Sequence, residues 1–175
     1  MSSLQSLNIL LVDDNQHMRA ITAAILQSAG VRTIRETSDG AAALDMVRDF
    51  PIDLAIVDFN MFPLDGVEFT RLIRNSPDSI NPYLPIIMMT GHSEKSRVVE
   101  ARDAGVTEFV VKPITAKAVF DRIQAVILRP RPFVRTGDYF GPDRRRINAS
   151  GYAGPFRRST DEGRSAAEGK ASSAA

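Results

Sequence analysis

The sequence contains no cysteine, no tryptophan and only two histidines, His17 and His92. The absence of cysteine removes disulfides, thiolate metal sites and thiol nucleophiles together. Two imidazoles are too few for a histidine-rich metal centre. No apolar run approaches the roughly 18 residues that a membrane-spanning helix needs. The first 14 residues have no basic stretch ahead of their apolar run and end in two acids, unlike a secretory signal. A soluble, cytoplasmic protein without membrane insertion is expected. What the 175 residues do contain is 43% hydrophobic and 25% charged, a composition that supports a packed core.

The net charge of +1 conceals a division. Residues 1–128 carry 12 Lys and Arg against 16 Asp and Glu, a balance of −4, whereas residues 129–175 carry 10 against 5, a balance of +5. In the second stretch Val134 and Ile147 are the only members of the Val, Ile, Leu and Met set, while Gly, Pro and Ser number 15. Such a segment buries too little aliphatic surface to order itself. The expectation is a folded domain over 6–128 and a basic, Gly/Pro/Ser-rich, disordered tail over 129–175. The boundary falls at Arg129-Pro130, where proline stops a helix.

Within the first stretch, residues 7–12, 53–57, 84–89 and 108–111 are short apolar runs without alternation, as suits strands buried on both faces of a parallel sheet. Residues 31–37 are more polar and suit an edge strand. Between them lie helical spacings: Met18, Ile21, Ile25 and Leu26, closed by Gly30; Leu44 and Val47, ended before Pro51; Phe69, Leu72 and Ile73; Val98, Ala101 and Ala104, opened by Ser93 and stopped by Gly105; and Val119, Ile123, Val126 and Ile127, capped by Thr115. The pattern is βα five times over. It predicts an α/β, flavodoxin-like, five-stranded parallel sheet of order 2-1-3-4-5 with five helices.

In such sheets function gathers beyond the carboxyl ends of the strands. Here those ends carry Asp13 and Asp14, then Asp58, Thr90, and Lys112-Pro113. Any one of these residues is ordinary, since Asp after a strand usually caps a helix or makes a turn. Together they place three carboxylates, a hydroxyl and an ammonium on one edge. Clustered carboxylates raise one another's pKa or recruit a cation. An oxygen-ligated ion such as Mg²⁺ suits two or three of them, and Lys112 supplies a point charge for a phosphoryl group. The set fits phosphoryl transfer through an aspartyl phosphate.

The segments Ile9–Asp14, Asp58–Gly66, Ile86–Gly91 and Phe109–Pro113 resemble those of response-regulator receiver domains, the CheY-like family of two-component signalling. The resemblance covers about residues 6–128. It implies that Asp58 is the phosphoacceptor, that Asp13, Asp14, Asp58 and the Asn60 carbonyl hold Mg²⁺, and that Lys112 pairs with the phosphoryl oxygens. It further implies that Thr90 is the switch hydroxyl, that Phe109 is the aromatic following it, and that Lys112-Pro113 is a cis peptide. A single-domain regulator follows, not an enzyme beyond accepting and slowly losing its own phosphoryl group. It would be charged by a histidine kinase or histidine phosphotransfer protein and would signal to a downstream protein through the face of its fourth helix, fifth strand and fifth helix. Two departures are that Phe62 precedes Pro63, where the family usually reads Met-Pro, and that Gly91 follows Thr90, where a small residue, often Ala, is usual. The distance from Asp58 to Gly66 is kept, so a reshaped loop is expected.

Two rival readings are weaker. A pseudo-receiver that keeps the fold without chemistry does not need the intact acid, Thr and Lys set. A haloacid-dehalogenase-like phosphatase needs Asp-x-Asp, and Asn60 stands at the second position. His92 lies two residues beyond Thr90, where it reads as a solvated rim residue or a modulator of hydrolysis. The tail interleaves arginines with Phe133, Tyr139, Phe140, Tyr152 and Phe156. That mixture suits a single-stranded nucleic acid, an acidic partner or plain solvent. No nucleic-acid partner is expected, because the tail is too poor in apolar residues for a helix-turn-helix.

Overall fold

The structure, a computed structural model, describes residues 4–91 and 96–145. Five strands, β1 (Asn8–Val12), β2 (Thr33–Thr37), β3 (Leu54–Asp58), β4 (Ile86–Thr90) and β5 (Glu108–Val111), form one parallel sheet of order β2-β1-β3-β4-β5. Five helices alternate with them: α1 (Gln16–Ser28), α2 (Gly40–Asp49), α3 (Gly66–Asn75), α4 (Val98–Ala104) and α5 (Ala116–Leu128). The sheet is flavodoxin-like, in the order that the sequence predicts.

Alternation along the strands divides the core in two. Ile9 and Leu11 of β1 pack with Ala23 and Leu26 of α1 and with Val119, Ile123 and Val126 of α5. Leu10 and Val12 face the other way, toward Ala43 and Val47 of α2 and Phe69 and Ile73 of α3. A third cluster lies under α4, where Phe59, Val67, Met88, Ala101, Ala104 and Val106 meet and Phe109 packs against them. The most polar strand, β2, is the edge strand that its composition suggests.

The local signals account for most helix ends. Asn15 caps α1 by accepting from the His17 and Met18 amides, Asp39 caps α2, and Thr115 caps α5 through the Ala118 amide. Asp65 and Glu68 close a reciprocal capping box on α3. Gly105 ends α4 at φ 106°, a left-handed conformation that only glycine adopts without strain. Ser93, the expected opener of the fourth helix, lies outside the described residues. Two apolar assignments shift: Ile21 and Leu72 are exposed, and the buried faces of α1 and α3 instead include Thr22 and Thr70. Both threonines return their hydroxyls to the carbonyl four residues earlier, which makes them acceptable in the core.

One expectation is corrected. The composition predicts a disordered tail from Arg129, yet β6 (Phe133–Thr136) and β7 (Tyr139–Pro142) form an antiparallel hairpin packed on α3 and α4. Aromatic and guanidinium groups replace the missing aliphatic core. The rings of Tyr83, Phe133 and Phe140 lie 5.2–5.6 Å apart, in tilted and edge-on contacts. Residues 146–175 lie outside the described residues, and with them the rest of the expected tail. Among the described residues no helix is long and apolar enough to cross a membrane.

Candidate functional site

The carboxyl ends of β1, β3, β4 and β5 lie side by side at one edge of the sheet, where the strand order reverses between β1 and β3. Asp13 and Asp14 follow β1, and Asp58 closes β3, in register with Met89 of β4. Thr90 closes β4 opposite Val111, and Lys112 follows β5. The structure therefore brings together five residues drawn from four strand ends.

One carboxylate oxygen from each of Asp13, Asp14 and Asp58 lies within 4.8 Å of the others. Asp13 and Asp58 are buried, whereas Asp14 is exposed. Lys112 Nζ donates to Asp58 Oδ1 at 2.6 Å. The Lys112 amide also donates to the Thr90 carbonyl at 2.7 Å, so one residue ties β4 and β5 to the end of β3. Thr90 is 2% exposed. The Lys112–Pro113 bond is cis, as is Phe62–Pro63. Phe62 itself stands out from the loop after β3, 85% exposed. Asn60 lies exposed on the same loop. Phe109, on β5, is half-buried against the cluster beneath α4. His92 lies outside the described residues.

The electrostatics are those of a carboxylate deprived of water. Burial pushes the Asp58 carboxyl from its ordinary value of 3.8 up to about 6, against the pull of the Lys112 ammonium and with the help of the neighbouring Asp13 charge. Asp13 is raised for the same first reason, with its backbone hydrogen bond from Asn15 acting in opposition. Its Oδ1 accepts from the Asn15 amide at 2.9 Å, but its Oδ2 is buried with no hydrogen-bond partner. A buried, unsatisfied carboxylate oxygen facing two further carboxylates is what a divalent cation would satisfy. The donor set, all hard oxygen with an exposed member, suits a magnesium ion that retains water.

Three contributors have no signal in residue type alone. Arg19 of α1 donates to the Asp13 carbonyl at 2.6 Å, holding the acidic turn from six residues away. Gly66 packs so closely beneath Asp58 that a Cβ there would lie 2.4 Å from the Asp58 carbonyl oxygen. Arg97 stacks over the Phe59 ring at 4.6 Å and donates to Asp65 at 3.2 Å, linking the loop after β3 to the start of α4. Of these, only Gly66 lies in a segment whose spacing from Asp58 is itself part of the pattern.

Comparison with known proteins agrees with the geometry. The pattern of the response regulator receiver domain matches residues 9–124. The chemotaxis protein CheY of Pseudomonas aeruginosa is 33% identical over 123 residues, which span 70% of this chain and 98% of that protein. The chemotaxis protein CheY-3 of Vibrio cholerae is 31% identical over 125 residues, spanning 71% and 95%. Among solved structures, the receiver domain of a Pseudomonas aeruginosa sensor histidine kinase, with a magnesium ion coordinated in its active-site cleft, superposes with a TM-score of 0.60. It is 27% identical and covers 67% of this chain and 94% of that one. The matched region carries the whole strand-end cluster, and the chain belongs to the response regulator receiver domain family.

Proposed function

We propose that this receiver accepts a phosphoryl group from a phosphohistidine donor onto Asp58, in a magnesium-dependent reaction, and that the acyl phosphate alters the face formed by α4, β5 and α5. The observation that carries this reading is the Asp58 carboxylate, buried beside Asp13 and Asp14 with Lys112 Nζ at 2.6 Å. An Asp58 oxygen attacks phosphorus, the phosphorus–nitrogen bond of the donor breaks, and its electron pair and a proton remain with the imidazole. Asp13, Asp14, Asp58 and the Asn60 carbonyl would hold Mg²⁺, which when bound offsets the acidic cluster and draws negative charge from the phosphoryl oxygens.

Lys112 then exchanges its contact with Asp58 for one with a phosphoryl oxygen, a point charge aimed where charge accumulates. Thr90, whose carbonyl is already held by the Lys112 amide, supplies the hydroxyl that reaches the same group. Phe109 responds through its contact with the cluster under α4. The partners are a histidine kinase or histidine phosphotransfer protein upstream and a protein target downstream. The setting is the cytoplasm, and turnover is confined to the receiver's own phosphoryl group.

The test is labelling with a small phosphodonor such as acetyl phosphate, with Mg²⁺ and with a chelator in its place. Labelling is expected with Mg²⁺ only, and Asp58→Asn is expected to abolish it. Undiminished labelling in that variant overturns the acceptor assignment.

A further inference from the structure

The β6–β7 hairpin lies beyond residue 124, where the receiver pattern ends, so its role is not supplied by the family match. It packs against the end of the domain opposite the phosphorylation edge. There it meets the C-terminal ends of α3 and α4 and the N-terminal end of β5. Two arginines that flank it fasten it. Arg131, just before β6, donates to the Thr107 carbonyl and to Glu108 of β5. Glu108 also receives Arg122 of α5 at 3.7 Å, which brings α5 into the same network. Arg144, just after β7, pairs with Asp103 of α4 and lies 4.1 Å over the Tyr139 ring.

Between these polar fastenings the backbones approach closely. A Cβ on Gly141 would lie 2.9 Å from the Gly105 Cα, and one on Gly105 would lie 3.0 Å from the Phe140 carbonyl. The turn that ends α4 thus lies directly against β7. Beneath the hairpin Arg74 of α3 is 2% exposed. Its Nε and Nη1 donate to the Gly105 and Pro82 carbonyls at 3.1 and 2.9 Å, and its guanidinium lies 5.0 Å from the Phe133 ring. Its Nη2 is buried without a hydrogen bond. No carboxylate is paired with it among the described residues. Keeping a guanidinium dry without a counter-ion is costly, and opening the hairpin would return it to water. The docked state is therefore held by good packing and opposed by a buried charge, which suits an element that opens and closes.

The placement matters because Thr107 and Glu108 immediately precede Phe109, and Asp103 and Gly105 lie at the end of α4. The hairpin grips α4 and β5 directly and reaches α5 only through Glu108, which also receives Arg122. We infer that the β6–β7 hairpin is an intramolecular latch: it binds the unphosphorylated arrangement of α4 and β5, opposes phosphorylation of Asp58, and is loosened when that phosphorylation occurs. The inference rests on the phosphoacceptor reading and adds its regulation. Reciprocity follows from linkage, since an element that favours one state of α4–β5 must itself be favoured by that state.

The test uses the full chain. Hydrogen exchange of the amides of residues 133–142 is followed in Mg²⁺ alone and in Mg²⁺ with beryllium fluoride, a phosphoryl analogue for an aspartate. Exchange is expected to quicken by about five-fold or more with the analogue, and not in Asp58→Asn. In parallel, Arg131→Ala/Arg144→Ala, which removes both fastenings without touching the strand-end cluster, should label faster than the natural chain with acetyl phosphate. Its far-ultraviolet circular dichroism establishes that it folds, and the exchange measurement on the natural chain needs no variant at all. Unchanged or slower hairpin exchange, in a chain that labels at Asp58, overturns the latch and leaves the acceptor reading standing. No labelling at Asp58 overturns both.

Discussion

Asp58 sits where its charge is costly, and that cost has a pH signature. Its carboxyl titrates at about 6 in the folded chain, against an ordinary 3.8 when exposed. Between those values the folded state binds more protons than the unfolded state, so stability falls as pH rises through about 4 to 6 and stays lowered above. In metal-free buffer Asp58→Asn should therefore stabilise the chain at pH 7.5, on the order of 1–3 kcal/mol for a shift of about two units. The gain should vanish below about pH 4, where both states are protonated. Urea midpoints at the two pH values check this, and an equal gain at both would contradict the electrostatic origin. Gly66 makes a steric counterpart. Gly66→Ala drives a methyl into the Asp58 backbone carbonyl, which cannot swing away as a side chain can, and should cost about 1–3 kcal/mol. An unchanged denaturation midpoint would refute that close approach. The acids, the hydroxyl and the lysine were legible in the sequence because each ends a strand, and topology gathers strand ends. Arg19 was not, because a cation six residues past an acid in a helix has no fixed direction until the helix is docked.

Elements were legible to the degree that their burial was complete. β1, β3 and β4 read as unbroken apolar runs because both faces are covered, and the parallel order follows from the alternation with helices. The helix faces were less legible, because Thr22 and Thr70 enter the core by bonding their own backbone while Ile21 and Leu72 stay outside. The hairpin escaped because its core is built from Tyr83, Phe133, Phe140 and arginine stems, which a count of aliphatic residues ignores. Between elements, the Thr90 hydroxyl is the proposed link from the phosphoryl group to Phe109 and α4. Thr90→Ala should still label at Asp58, because neither the nucleophile nor the lysine is removed. It should lose the phosphorylation-dependent amide shifts over residues 105–120. Full shifts in that variant would show that another group carries the signal.

Across the whole molecule, the acidic cluster gathers at one end of the sheet and the arginine-rich hairpin fastens the other, with α4 and β5 running between them. Chemistry at the first end can reach the second through those two elements and through α3, which runs from Gly66 beneath Asp58 to Arg74 beneath the hairpin. Everything nonetheless depends on one bond forming at one oxygen. The direct measurement is to treat the full chain with acetyl phosphate and Mg²⁺, reduce the product with borohydride, which converts an acyl phosphate to the alcohol, and locate the altered residue by peptide mass spectrometry. Reduction confined to position 58, and absent when Mg²⁺ is chelated, is the predicted result. Reduction at another carboxylate, or none at 58 in the presence of Mg²⁺, would contradict it.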